Sequence, residues 1–175
     1  MKTAKSKLLS KVEAEVKDPY VDGIGAESAL IVDAMAILQM MKDIPSTFGE
    51  LANELLSRVV NMAVMSKSGR VDFVADRYPK HSIKNLERSK RSENGVIKIY
   101  SDQQRVPHQW KKFLSSGQNK EDLMKFFAAA WRKASPQMLK GVEVLIAHEE
   151  KCHKLKASGD YMLYALLCAL FVTDR

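Results

Sequence analysis

A chain of 175 residues with 46% apolar side chains can fill one hydrophobic core unaided, which sets aside disulfide-stapled and metal-nucleated miniproteins. Its 28 lysines and arginines against 21 aspartates and glutamates give a net charge of +7, a field that draws polyanions such as nucleic acid or anionic lipid. Two cysteines, Cys152 and Cys168, are too few for a disulfide framework and wrongly spaced for a zinc knuckle, so an intracellular setting, nucleus or cytoplasm, is expected.

The lysine-rich N-terminus is interrupted by Glu13 and Glu15 and has no continuous apolar stretch, so residues 1–26 read as a polar lead-in, helix or tail, and not as a targeting peptide. Ala29-Leu30-Ile31-Val32-Asp33 is an apolar run closed by a carboxylate, the pattern of a parallel strand buried on both faces. Met35, Ile37, Leu38 and Met41 then suggest a short helix that stops before Pro45. Thr47-Phe48-Gly49-Glu50 is a capping box, and Leu51, Leu55, Val59 and Met62 mark the core face of the helix it opens, with Ser68-Gly69 as its stop. Val71 to Asp76 predicts a second strand, again ended by a carboxylate, after a connection long enough for a right-handed crossover.

Further on, Ser82 can cap a helix over 83–91 with a basic exposed face, ended by Ser92-Glu93-Asn94-Gly95. Residues 96–100 have strand composition. Pro107 is placed to open a helix carrying Trp110, Phe113 and Leu114, and Asn119 to cap the next, whose core face holds Leu123, Phe127, Ala130 and Trp131. Residues 142–147 are the third buried strand candidate. The longest apolar run, Tyr161 to Val172, falls short of the roughly 20 residues that cross a bilayer as a helix, so no membrane partner of that kind is expected. The order is that of an α/β domain with helical insertions.

Ligands of an open parallel sheet bind outside the carboxyl ends of its strands, so Asp33 and Asp76 would project into one cleft if their strands are neighbours. Two such carboxylates can hold Mg²⁺ or Mn²⁺, which favour hard oxygen ligands and complete their shells with water and substrate phosphates. The alternative for each is a helix cap or a solvated strand end. Just past Asp76 lie Arg77, Lys80, Lys84, Arg88, Lys90 and Arg91, placed to neutralise phosphates at the mouth of that cleft, or to form a solvated basic helix face.

His148-Glu149-Glu150-Lys151-Cys152-His153 does not read as a zinc-protease helix, because its histidines are five apart. On a helix that spacing separates the imidazoles by roughly 140°. A polar loop or strand-end turn is the plainer reading, and Glu149 and Glu150 are a weak reserve for a third carboxylate. No glycine-rich phosphate loop follows a strand, and Trp110, Phe113, Phe126, Phe127 and Trp131 sit at spacings that suit a core.

The segments Ile31-Val32-Asp33-Ala34-Met35-Ala36, Val71-Asp72-Phe73-Val74-Ala75-Asp76-Arg77-Tyr78 and Ser82 to Arg91 together resemble a group of invertebrate proteins, many of them transposon-associated. The similarity runs on through Gln104, Val106-Pro107, Trp110 and Asn119-Lys120 to about Lys154. That pattern is in turn similar to the N-terminal region of XPG and flap-endonuclease proteins, of the PIN-like type.

The resemblance implies a three-layer α/β fold with a central, mainly parallel sheet over residues 27–158, and Asp33 and Asp76 as the first carboxylates of a divalent-metal site. It also implies a paired Glu and Asp on a later helix and an Asp-x-Asp strand end, and neither is recognisable here. Residues 159–175 depart from the pattern as an apolar tail, as a truncated or mis-spliced product would, leaving the C-terminal part incomplete. With two carboxylates in place of the usual four or more, weak metal affinity is expected and a two-metal mechanism is not supported.

The function expected is therefore a nuclease-related domain that binds DNA or RNA through a basic helix beside a carboxylate cleft, with metal-dependent phosphodiester hydrolysis as the associated chemistry. A non-catalytic protein-interaction module or transposon relic, docking through an exposed sheet edge, is the alternative. A membrane-surface protein using its apolar tail and lysines is a third reading.

Overall fold

The computed structural model describes residues 4–15, 28–75, 96–148, 151–155 and 161–165. In chain order these form α1 (Ala4–Glu15), β1 (Ala29–Asp33), α2 (Ala34–Met40), α3 (Phe48–Met65), β2 (Arg70–Val74), α4 (Trp110–Phe113), α5 (Gly117–Trp131), a 3₁₀ turn (Pro136–Leu139), β3 (Glu143–His148), β4 (Lys151–Leu155) and β5 (Tyr161–Ala165). The strands line up as one sheet in the order β1-β2-β3-β4-β5. The pairs β1–β2 and β2–β3 are parallel, and β4 and β5 extend the sheet antiparallel. The α/β architecture expected from the sequence is the one the chain adopts, and β5 draws part of the apolar tail into the sheet.

The strand order fixes which face is covered. Parallel crossovers are right-handed, and stepping from β1 to β2 to β3 in one direction puts both connections on the same side of the sheet. Val32, Phe73 and Ile146 lie in one register row, and Val71 and Val144 in the next, all buried, with α3 packed on β2, α5 on β3 and α2 on β1. The alternate positions face away, and Ile31 is 68% exposed, so β1 is buried on one face and not on both as its apolar run suggests.

α3 begins as its sequence dictates. Glu50 N–H donates to Thr47 Oγ1 at 3.2 Å and Thr47 N–H donates to Glu50 Oε2 at 3.1 Å, closing the capping box. The next N–H groups, of Phe48 and Gly49, donate to the carbonyls of Gln104 and Asp102 at 3.0 and 2.9 Å. Glycine at 49 suits that approach, because a Cβ there would stand 3.0 Å from both Asp102 Cβ and Asp102 O and press the Asp102 segment back by a few tenths of an ångström. Leu51, Leu55 and Val59 are buried as predicted, but Met62 is 37% exposed and Ala63 takes the core position beside it. The apolar stripe follows 3.6 residues per turn and has drifted off Met62 by the last turns.

Three other expectations shift. Residues 96–100 form no ladder: Ile97 N–H donates to Asn119 Oδ1 at 2.9 Å, and Gln104 brackets the segment by accepting from Tyr100 N–H and donating to the Lys98 carbonyl. Side chains supply the partners a neighbouring strand would have supplied. Asn119 is accordingly not a cap; Ser116 caps α5, while buried Asn119 also donates to the Phe113 carbonyl at 3.1 Å. Pro107 precedes α4 by three residues, and Gln109 holds the position before its first turn.

The aromatic residues read as core are core. Ring contacts run from Trp110 through Phe113, Phe48, Phe126 and Phe127 to Trp131 and Phe73, linking α4, α3, α5 and β2. Each tryptophan also satisfies its indole N–H at a helix carbonyl, Trp110 at Leu38 (2.9 Å) and Trp131 at Ala52 (2.8 Å). α1 stands apart in character, with Leu8, Leu9 and Val12 exposed. No described helix is long and apolar enough to cross a membrane.

This packing makes a contrast within one helix. Leu55→Ala should lower unfolding free energy by about 2–5 kcal/mol, while Met62→Lys should stay within about 0.5 kcal/mol, both measured by urea denaturation.

Candidate functional site at the carboxyl edge of the parallel strands

Three strand ends meet at one rim. Asp33 closes β1 opposite Val74 of β2, and Val74 lies opposite Ala147 of β3, with His148 one residue further on. Asp33 turns directly into α2 and acts as its N-cap: Oδ1 accepts from the N–H groups of Met35 and Ala36 at 2.8 and 3.0 Å. Of the two roles open to this carboxylate, the cap is thus in place. Both bonds fall on Oδ1, which leaves Oδ2 as the oxygen that can turn toward a cation at the rim.

Asp76 lies outside the described residues, two positions beyond the end of β2. Arg77, Lys80, Lys84, Arg88, Lys90 and Arg91 lie outside them as well, as does the helix expected over 83–91. Among the described residues no three of His, Cys, Asp and Glu gather as a metal shell. The described part of the rim therefore offers a hard cation such as Mg²⁺ one carboxylate, which suits the ion's oxygen preference but would need Asp76 and substrate oxygens beside it.

The open face of the sheet is partly polar. Arg70 grips Asp72 on the same strand through two bonds of 2.7 Å, and Lys154 reaches Glu143 across the β3–β4 pair at 2.7 Å. The hydrogen bonding to the Asp72 carboxylate does most to hold the Arg70 guanidinium above its ordinary pKa, against a smaller opposing push from burial. Arginine is fully charged at any working pH in either case. Ile31 and Val74 are exposed on the same face.

The histidine reading changes most. His148 ends β3, as a strand-end reading allows, while His153 lies within the returning strand β4, so the two belong to paired antiparallel strands. His148 is in register with Lys151 and His153 with Ile146, which puts both imidazoles on the helix-covered face as diagonal neighbours. Their ring centroids are 6.3 Å apart with planes inclined by 24°. Cys152, opposite Ala147, faces the other way. Part of the signal was present in the sequence: Val144, Ile146 and His148 alternate, as do His153 and Leu155, and the chain reversal between the two strands brings the histidines to one face although they are an odd number of residues apart.

Comparison of the chain with protein-family models, curated proteins and solved structures finds no match in any of the three.

Because Asp33 caps α2, its two roles separate by substitution. Asp33→Ala should cost about 0.5–2 kcal/mol of stability in a denaturant melt, whereas Asp33→Asn, which keeps a capping oxygen, should cost a few tenths at most.

Proposed function

We propose that the chain is a nuclease-related α/β domain of the PIN-like type that binds nucleic acid at the carboxyl edge of its parallel strands. The observation that carries this reading is the pairing of β1 with β2: the strands are parallel neighbours, and Asp33 stands opposite Val74. Two carboxylates on adjoining strand ends are the minimum such a site requires, and Asp76 follows Val74 by two residues. Asp33, through Oδ2, and Asp76 would hold a Mg²⁺ or Mn²⁺ ion, which when bound supplies charge neutralisation at the phosphate and acidifies water. Arg77, Lys80, Lys84, Arg88, Lys90 and Arg91 would contact neighbouring phosphates, and the net charge of +7 favours the same partner.

A second reading has an observation of its own. Ile31 is 68% exposed and Val74 is 40% exposed on the open face, and among the described residues β1 pairs with β2 alone. That surface suits a non-catalytic module or transposon-derived relic that docks another protein chain.

Two measurements on the full chain separate the readings. Fluorescence anisotropy with single-stranded and flap DNA and RNA should show binding that weakens about a thousandfold between 50 and 200 mM salt, as about six phosphate contacts require. In Mg²⁺, cleavage of the bound strand should be abolished in both Asp33→Asn and Asp76→Asn, with binding retained. Salt-sensitive binding without cleavage by the parent protein selects the non-catalytic module, and no binding at all removes the nucleic-acid reading.

A further inference from the structure

We infer that His148 and His153 form a bis-imidazole site for a divalent cation of borderline softness, Zn²⁺, Ni²⁺ or Cu²⁺, distinct from the hard-ion rim at Asp33. The hairpin register puts both rings on one face of the sheet, and their centroids already stand 6.3 Å apart. Two imidazoles on one tetrahedral ion, each bonded at about 2.0–2.1 Å, have centroids roughly 5 Å apart, about 1 Å closer than the two rings stand here.

The surroundings suit ligation. His148 is 9% exposed and His153 half-buried, so the pair is largely sheltered from bulk water. Antiparallel pairing with β4 anchors both backbones, so the ligands are held before the ion arrives. The partly exposed side of His153 gives an entry path, and water or a substrate atom would complete the coordination.

The chemistry separates this site from the one at Asp33. Imidazole nitrogen selects Zn²⁺, Ni²⁺ and Cu²⁺ and is a poor ligand for Mg²⁺, whereas a lone carboxylate has the opposite preference. β1 and β3 are also separated by the whole width of β2, about 10 Å at ordinary strand spacing, so one ion cannot serve both. Cys152 is excluded from the shell by its register with Ala147 on the opposite face, although it is next to His153 in sequence.

The test is calorimetric titration of NiCl₂ and ZnCl₂ into the full chain, with circular dichroism to verify that each variant is folded. One saturable site of micromolar affinity is expected for each metal, undiminished by millimolar Mg²⁺. His153→Gln should weaken it at least about tenfold, since one of two protein ligands is gone. Cys152→Ser should leave it within about twofold. His148 is the more buried of the pair, so should His148→Gln fail to fold, the half-buried His153 variant decides. The site is overturned if the parent binds neither metal saturably, if His153→Gln keeps parental affinity, or if Cys152→Ser removes binding.

Discussion

The register of three parallel strands governs the rest of this molecule. Val32, Phe73 and Ile146 meet in one row because β1, β2 and β3 are aligned without offset, and Trp131 of α5 packs its ring 5.1 Å from Phe73. A slip of one residue would turn Ile31 and Asp72 inward and expose Phe73, placing a carboxylate under the helices at a cost no local contact offsets. The same alignment brings Asp33, Val74 and Ala147 to a common rim. Core packing and the geometry of the candidate site are therefore one constraint.

That constraint is reinforced from the helix side by bonds that tie distant segments together. Trp110 to the Leu38 carbonyl and Trp131 to the Ala52 carbonyl each span more than seventy residues of chain. They orient α4 against α2 and α5 against α3 in a way apolar contact alone, which is non-directional, would not. Asn119 does similar work between 96–100 and α4, with both amide groups satisfied while almost fully buried. On the opposite face of the sheet, charged pairs are arranged within and between strands at ordinary ion-pair distances.

The parts of the fold legible in the sequence were those fixed by local chemistry. Strands β1 and β2 and the Thr47–Glu50 capping box each depend on a few contiguous residues, and they form close to where the pattern puts them, β2 ending at Val74. Misread features depend on partners far away in the chain. Residues 96–100 have strand composition but find Asn119 and Gln104 in place of a strand, and Asn119 is drawn from capping to bridging. β1 looked buried on both faces because its five residues are apolar, yet which faces are covered is decided by crossover handedness, a property of the whole sheet.

The site was legible to the same degree. Asp33 was found from its position at a strand end, and its capping bonds were among the alternatives for it. The histidine pair is missed when the segment reads as a polar loop or strand-end turn, because the return strand Lys151–Leu155 goes unrecognised. Five residues apart means opposite sides of a helix and adjacent corners of a β-hairpin, so the period assigned decides whether the two rings can meet.

The account rests on one cation being shared between the ends of β1 and β2, and paramagnetic broadening by Mn²⁺ tests that most directly. In an NMR titration of the full chain, the amides of Met35 and Ala36, which bond Asp33, should broaden in parallel with those of Arg77 and Tyr78, at one common midpoint. Substitution of either aspartate by asparagine should abolish both effects together. Broadening confined to one strand end, or none at either while the protein stays folded, would contradict a shared site.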